Sequence, residues 1–138
     1  MYLRVSDEDK DMGKNEKRES DSIGNQRNLI LDFISRNPEL QKAEVLEFCD
    51  DGFSGRNFER PGVRRMLEMA EKGEIQCIVV KDLSRFGRDY LTAGSYISRI
   101  FPFLGVRFIS VNDGFDSARR RDMDSLDAPF KMLLHDLY

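Results

Sequence analysis

Two arginines three residues apart, Arg85 and Arg88, lie in the stretch Val79-Val80-Lys81-Asp82-Leu83-Ser84-Arg85-Phe86-Gly87-Arg88-Asp89-Tyr90. The apolar run Ile78, Val79, Val80 just before them reads as the last half of a buried strand. If a helical turn opens after that strand, positions i and i+3 share a face and two guanidinium groups point the same way. Two cationic forks at the carboxyl edge of a sheet suit a phosphate. For an isolated Arg-x-x-Arg, a solvated loop with surface arginines is the ordinary alternative. A second cluster at the chain start, Tyr2-Leu3-Arg4-Val5-Ser6, argues against it. A serine there could simply cap the loop after a strand, and as a nucleophile it would need activation. The one histidine, His135, lies at the far end of the chain and reads as a helix-surface residue, so a Ser-His-Asp arrangement is poorly supported.

The elements that must position these residues alternate between strand and helix. A first strand covers Met1 to Val5, with Ser6 at its carboxyl end, where open α/β sheets place ligands. Asp7 to Asp21 is polar and charged and reads as a mobile loop. Ser22 can cap a helix from Ile23 to about Asn37, with Ile30, Phe33 and Ile34 at helical spacing and Pro38 beyond its end. A second strand is expected from about Glu44 to Cys49, centred on Val45, Leu46 and Phe48, and then a turn-rich loop from Asp50 to Phe58. Pro61 suits the first turn of a helix running to Glu71, with Val63, Met66, Leu67 and Ala70 inward and Gly73 ending it. The unbroken apolar run Ile75 to Val80 is typical of a strand covered on both faces. One helix is expected from about Tyr90 to Phe103, disturbed near its end by Pro102, then a strand from Val106 to Val111. Asp113 to Asp124 reads as a charged loop, whose Arg119-Arg120-Arg121 could meet DNA but is more simply a solvated run. A final helix is expected from Ser125 or Leu126, including Phe130, Leu133, Leu134 and Leu137. The alternation predicts an α/β fold: a mostly parallel sheet of four to five strands with helices on both faces, in a flavodoxin-like layout.

A chain of 138 residues, 40% hydrophobic and 34% charged, fits one soluble domain with one core. No run approaches the roughly 18 apolar residues of a membrane span, and the start lacks the basic-then-apolar order of a signal peptide. A cytoplasmic location is the expectation. Cys49 and Cys77 sit in apolar runs and read as buried free thiols. With one histidine and no Cys-x-x-Cys pair, a zinc site is not supported. The net charge of −3 argues against nucleic-acid binding unless charge is segregated, with arginines at the site and acids elsewhere.

Four motifs, in order, resemble the serine recombinase family of resolvases, invertases and transposon integrases. Tyr2-Leu3-Arg4-Val5-Ser6 resembles the nucleophile motif, and Ser22-Ile23-Gly24-Asn25-Gln26 the Ser-x-x-x-Gln element. Asp51-Gly52-Phe53-Ser54-Gly55 with Phe58-Glu59-Arg60-Pro61 resembles the second active-site loop, and Asp82 to Arg88 the arginine motif. Any one is weak; together they cover nearly the whole chain. The wording is closest to the large serine recombinases. Ser84 stands where small resolvases usually carry Asp, so an acidic role does not carry over to it.

The resemblance implies that Ser6 attacks a DNA phosphodiester, releasing a 3′ hydroxyl and leaving a 5′-phosphoserine link that is rejoined without metal, ATP or other cofactor. It implies Arg4, Arg85 and Arg88 around the non-bridging oxygens, Arg60 as a further active-site arginine, and Gln26 bonding the phosphate or orienting a side chain. Tyr2, Asp51, Ser54 and Ser84 would support them, with Asp51 and Ser54 orienting arginines. Phe86 reads as a packing residue. The resemblance further implies that residues 1–138 form an N-terminal catalytic domain, its last helix truncated and its C-terminal DNA-binding domains absent. Its partner would be double-stranded DNA. The full-length protein would act as a dimer or tetramer, this portion being a monomer or weak dimer, with no membrane partner. Two other readings stay open on the residues alone. One is a non-catalytic flavodoxin-like module binding a phosphorylated molecule or partner, which the acidic charge favours. The other is a phosphatase-like hydrolase, for which no carboxylate-histidine cluster is evident.

Overall fold

The computed structural model describes residues 1–5, 22–51, 60–87 and 89–125. Among the described residues the strands are β1 (Tyr2–Val5), β2 (Phe48–Asp51), β3 (Cys77–Val80), β4 (Arg107–Ser110) and β5 (Phe115–Asp116). The helices are α1 (Ile23–Ser35), α2 (Pro61–Glu71), α3 (Leu83–Phe86), α4 (Tyr90–Ser95) and α5 (Phe101–Leu104), with a π-helical turn over Tyr96–Ile100 between the last two.

Strand alternation sorts the core onto two faces. Tyr2, Phe48, Ile78, Val80, Phe108 and Phe115 pack with α2 and with Phe86, Ala93, Ile97 and Phe101. Leu3, Val79 and Ile109 point the other way and pack with Ile30 of α1 and with Leu40. Helices therefore cover both faces, as the alternation of elements predicts. Phe86 is a packing residue, fully buried with its ring centroid 5.2 Å from Phe108 and 5.7 Å from Phe101.

The single sheet expected from the sequence resolves, among the described residues, as two ladders. β1 pairs with β2 in parallel. β3 pairs with β4 in parallel, and β5 runs antiparallel to β4. β1 and β3 approach one another without a ladder between them. The physical reason lies at Arg4. Its backbone N–H donates to Gln26 Oε1 at 3.2 Å and its carbonyl accepts from Gln26 Nε2 at 3.0 Å. The buried carboxamide takes the place of a neighbouring strand's peptide group.

Helix α1 starts as read, with Ser22 Oγ accepting from Asn25 N at 3.1 Å, and ends two residues earlier than expected. Helix α2 matches its predicted span and buries Val63, Met66, Leu67 and Ala70. Gly73 closes it at φ 78°, a conformation that glycine adopts without strain. The second strand is displaced toward the carboxyl end. Val45 and Leu46 are 40% and 38% exposed, and pairing begins only at Phe48. The expected helix from Tyr90 is broken into three pieces. Pro102 has no N–H to continue the ladder, and Phe101 N instead reaches Tyr96 O across the wide turn.

The charged segment read as a loop carries β5 and then helical residues 120–125. Arg119 O accepts from Asp122 N at 3.1 Å and Met123 N at 3.2 Å. An i,i+3 pair, Arg119–Asp122 at 3.7 Å, supports this turn, so charge density there reflects a solvated helix face. Neither cysteine is buried. The alternation of β2 turns Cys49 outward, and Cys77 is half-buried at the start of β3; both are free thiols. Residues 7–21, read as a loop, and Phe130, Leu133, Leu134 and Leu137, read as parts of a final helix, lie outside the described residues.

Candidate active site

The site is built at the carboxyl ends of β1 and β3, around the short helix α3. Arg4 projects from β1, fully buried. Its Nε donates to Arg85 O at 3.2 Å and its Nη2 to Ser84 O at 2.7 Å. Carbonyls at a helix carboxyl end lack intrahelical partners and carry partial negative charge, so a guanidinium satisfies them and recovers part of its own desolvation cost. Arg85 answers with a bond from Nη1 to Arg4 O at 3.1 Å.

From the start of α2, Arg60 shares Arg85 O with Arg4 and takes Phe86 O as well. It is 1% exposed. Its Nη2 donates to Phe86 O at 2.5 Å, and its Nη1 to Arg85 O at 3.2 Å and to the Tyr2 hydroxyl at 2.7 Å. Its guanidinium carbon lies 5.5 Å from the Tyr2 ring centroid, within cation–π range. Burial lowers the Arg60 pKa from its ordinary value, with Tyr2 and Asp50 opposing the fall. Burial pushes the Tyr2 phenol up, keeping its proton, which it donates to Asp50 Oδ2 at 2.7 Å. Asp50 also accepts from Gly62 N at 2.7 Å and Val63 N at 3.0 Å, anchoring the first turn of α2.

The other end of α3 is held by carboxylates. Asp82 Oδ1 accepts from Arg85 N at 3.3 Å and from Ser84 Oγ at 2.5 Å. Asp113 Oδ2 accepts from Leu83 N at 2.8 Å and from Ser110 Oγ at 2.5 Å. Arg85 Nε lies 3.8 Å from Asp82 Oδ1.

Of the residues singled out in the sequence, Tyr2, Arg4, Gln26, Arg60, Ser84 and Arg85 are brought together here. Asp51 is exposed at the end of β2. Ser6, Ser54 and Arg88 lie outside the described residues. Helix α3 ends at Phe86 and Gly87 is extended at φ −175°, so helical spacing stops before it could carry from Arg85 to position 88. Arg4, expected at the phosphate oxygens, and Arg60, expected as a further active-site arginine, engage the carbonyls of α3. The residues that the sequence reading passed over are Asp50, Gly62, Asp82 and Asp113. Asp82 carried a signal, standing three residues before Arg85 at a helix start. Asp50 was hidden by its neighbour Asp51, which fits the motif. Among the described residues no group of three or more His, Cys, Asp or Glu side chains could hold a metal ion.

The family model "Resolvase, N terminal domain" matches residues 1–133. Over 99% of its length the chain superposes on 96% of the N-terminal catalytic domain of TP901-1 integrase, with TM-score 0.77 and 23% identity, a likeness of fold. A resolvase family site-specific recombinase from Streptococcus pneumoniae superposes with TM-score 0.68 and 26% identity, over 99% of this chain and 87% of that one. A "Putative DNA recombinase" of Bacillus subtilis (strain 168) is 42% identical over 45 residues, which is 33% of this chain and 9% of that protein's length. No helix among the described residues is long and apolar enough to cross a membrane. With the motifs in order, the fold matched over 99% of the chain and the family model spanning residues 1–133, the chain belongs to the resolvase family of serine recombinases and matches that family's N-terminal domain.

Proposed function

We propose that this chain is the strand-cleaving domain of a site-specific DNA recombinase with Ser6 as nucleophile. Ser6 Oγ attacks the phosphorus of a phosphodiester. The Oγ–P bond forms as the P–O3′ bond breaks, the serine gives up its proton, and the 3′ oxygen ends as a hydroxyl. A 3′ hydroxyl from the exchanged strand then reverses the step and frees the serine. Phosphoryl transfer depends mainly on positioning and charge stabilisation. Arg85 and Arg88 would face the transferring group, with Gln26 positioning the Arg4 backbone beside them. Arg4 and Arg60 would hold the arginine motif against β1, and Asp51 and Ser54 would orient side chains from the second loop. The double-stranded DNA partner and a dimeric or tetrameric full-length assembly belong to the same proposal.

The observation that carries it is the mutual bonding of Arg4 and Arg85. It ties the arginine motif to a strand that ends one residue before Ser6. The test uses the full-length protein and DNA carrying its own recombination site. Labelled DNA is digested with protease and run on a denaturing gel to detect a peptide on the 5′ end. Ser6→Ala should bind the site and form no such adduct. An adduct formed by Ser6→Ala would overturn the reading.

A further inference from the structure

We infer that Asp50 is a positioning residue for Arg60, acting through the Tyr2 hydroxyl and the first turn of α2. The inference rests on the proposed reading of Arg60 as part of the recombination site.

Asp50 is 2% exposed, in the middle of a strand, where a carboxylate is costly unless its oxygens are bonded. They are bonded to three donors, Tyr2 Oη, Gly62 N and Val63 N. Each donor leads toward Arg60. The two N–H groups belong to the turn that Arg60 caps, so the carboxylate fixes where the Arg60 backbone emerges. The hydroxyl meets the guanidinium directly. A phenol has one proton, and Asp50 takes it; a lone pair of the same oxygen is left to accept from Arg60 Nη1 at 2.7 Å. The proton's direction is thereby settled by Asp50, and with it the acceptor that orients the guanidinium. Gly62 completes the device. A Cβ there would stand 2.9 Å from both carboxylate oxygens and 2.8 Å from Cys49 O, so the turn seats on Asp50 only without a side chain.

The alternating burial of β2 also separates Asp50 from Asp51. Asp50 faces this network, while Asp51 stands on the opposite, exposed side of the strand. The residue matched by the motif and the residue that orders Arg60 are thus neighbours on opposite faces.

The test compares Tyr2→Phe, Asp50→Asn and the double variant in the full-length protein on its own site DNA. Three quantities are read: the single-turnover cleavage rate at saturating DNA, the DNA affinity and the melting temperature. Tyr2→Phe keeps the ring and the Asp50 cap and removes only the hydroxyl. Its cleavage rate should fall by about 10²-fold, the scale of a small misplacement of a reacting group, with affinity and melting temperature close to wild type. Asp50→Asn should lose a similar factor, and the double variant should be no slower than the slower single variant, because both break one chain of contacts. Wild-type cleavage by Tyr2→Phe, or multiplicative losses in the double variant, would overturn the inference while Ser6→Ala still formed no adduct. An adduct from Ser6→Ala would remove the recombinase reading, and this inference with it.

Discussion

Arg4 and Arg85 each bond the other's backbone. Arg85 Nη1 donates to Arg4 O at 3.1 Å, and Arg4 Nε donates to Arg85 O at 3.2 Å. Each of those carbonyls has a second donor, Gln26 Nε2 on Arg4 O and Arg60 Nη1 on Arg85 O, while Arg4 Nη2 also serves Ser84 O. Arg4→Ala should destabilise the fold by about 1–3 kcal/mol, the cost of taking the Arg4 donor from Ser84 O, read as a fall in urea midpoint. Arg85→Ala leaves those carbonyls in place and removes a cation from the proposed site. Its cleavage should fall by about 10²–10³-fold on the denaturing gel.

Gly62→Ala is a second stability prediction. The added methyl meets a backbone oxygen and the Asp50 carboxylate at 2.8–2.9 Å, and neither is the end of a flexible chain. Overpacking of this kind costs about 1–3 kcal/mol. The melting temperature should drop, and Gly24→Ala, whose added methyl would stand 4.0 Å from Ser22 Oγ, is the control that should not.

Arg107 and Asp116 predict an acid dependence. Arg107 Nη2 meets Asp116 Oδ2 at 2.5 Å and its Nε meets Oδ1 at 3.0 Å, a bidentate fork across β4 and β5. Burial pushes the Asp116 carboxyl up, but the bonds from Arg107 and Ala118 N outweigh it, and its pKa falls below the usual value. A carboxylate depressed in the folded state adds stability that is full above its unfolded pKa, about 4, and is lost as pH falls through the folded value. Asp116→Asn should be less stable than wild type at pH 7, and the gap should close below about pH 4. Urea melts across that range would measure it; a gap independent of pH would count against the pair.

The thiols should differ in reactivity. Burial pushes Cys77 up to about 11. Cys49 is raised too, by burial and then by the charges of Glu47, Asp51 and Asp50, but it is exposed. At pH 8, iodoacetamide followed by mass spectrometry should label Cys49 slowly and Cys77 only after unfolding.

Regular elements with one strong signal were legible in the sequence. Helix α2 has Pro61 at its start, Gly73 past its end and four apolar residues at helical spacing, and it forms over the expected span. The run ending at Val80 forms a strand for the same reason. The grouping of Tyr2, Arg4, Gln26, Arg60 and Arg85 was legible as a motif pattern, but the target of the arginines was not. The family motifs imply which cations belong together; they say nothing of the three carbonyls at the end of a four-residue helix. Asp50 was hidden because its role depends on strand phase. Pairing of β2 begins at Phe48, and an onset one residue away would have exchanged the faces of Asp50 and Asp51.

The π turn at Tyr96–Ile100 bears on how the chain tolerates a change of length. Ala93, Ile97 and Phe101, spaced by four, are 5%, 1% and 0% exposed on one face. In an uninterrupted α-helix each step of four residues overshoots a full turn by about 40°, so two steps would carry Phe101 well round from Ala93. The wide turn absorbs that drift by housing one residue more than an α turn. Removing Ser98 would return the segment to ordinary helix with Phe101 still facing Phe86 and Phe108, at the cost of the Ser98 Oγ bond to Gly94 O. This helix therefore holds one residue in reserve, and a deletion that would dephase any other helix here leaves its inward face in place.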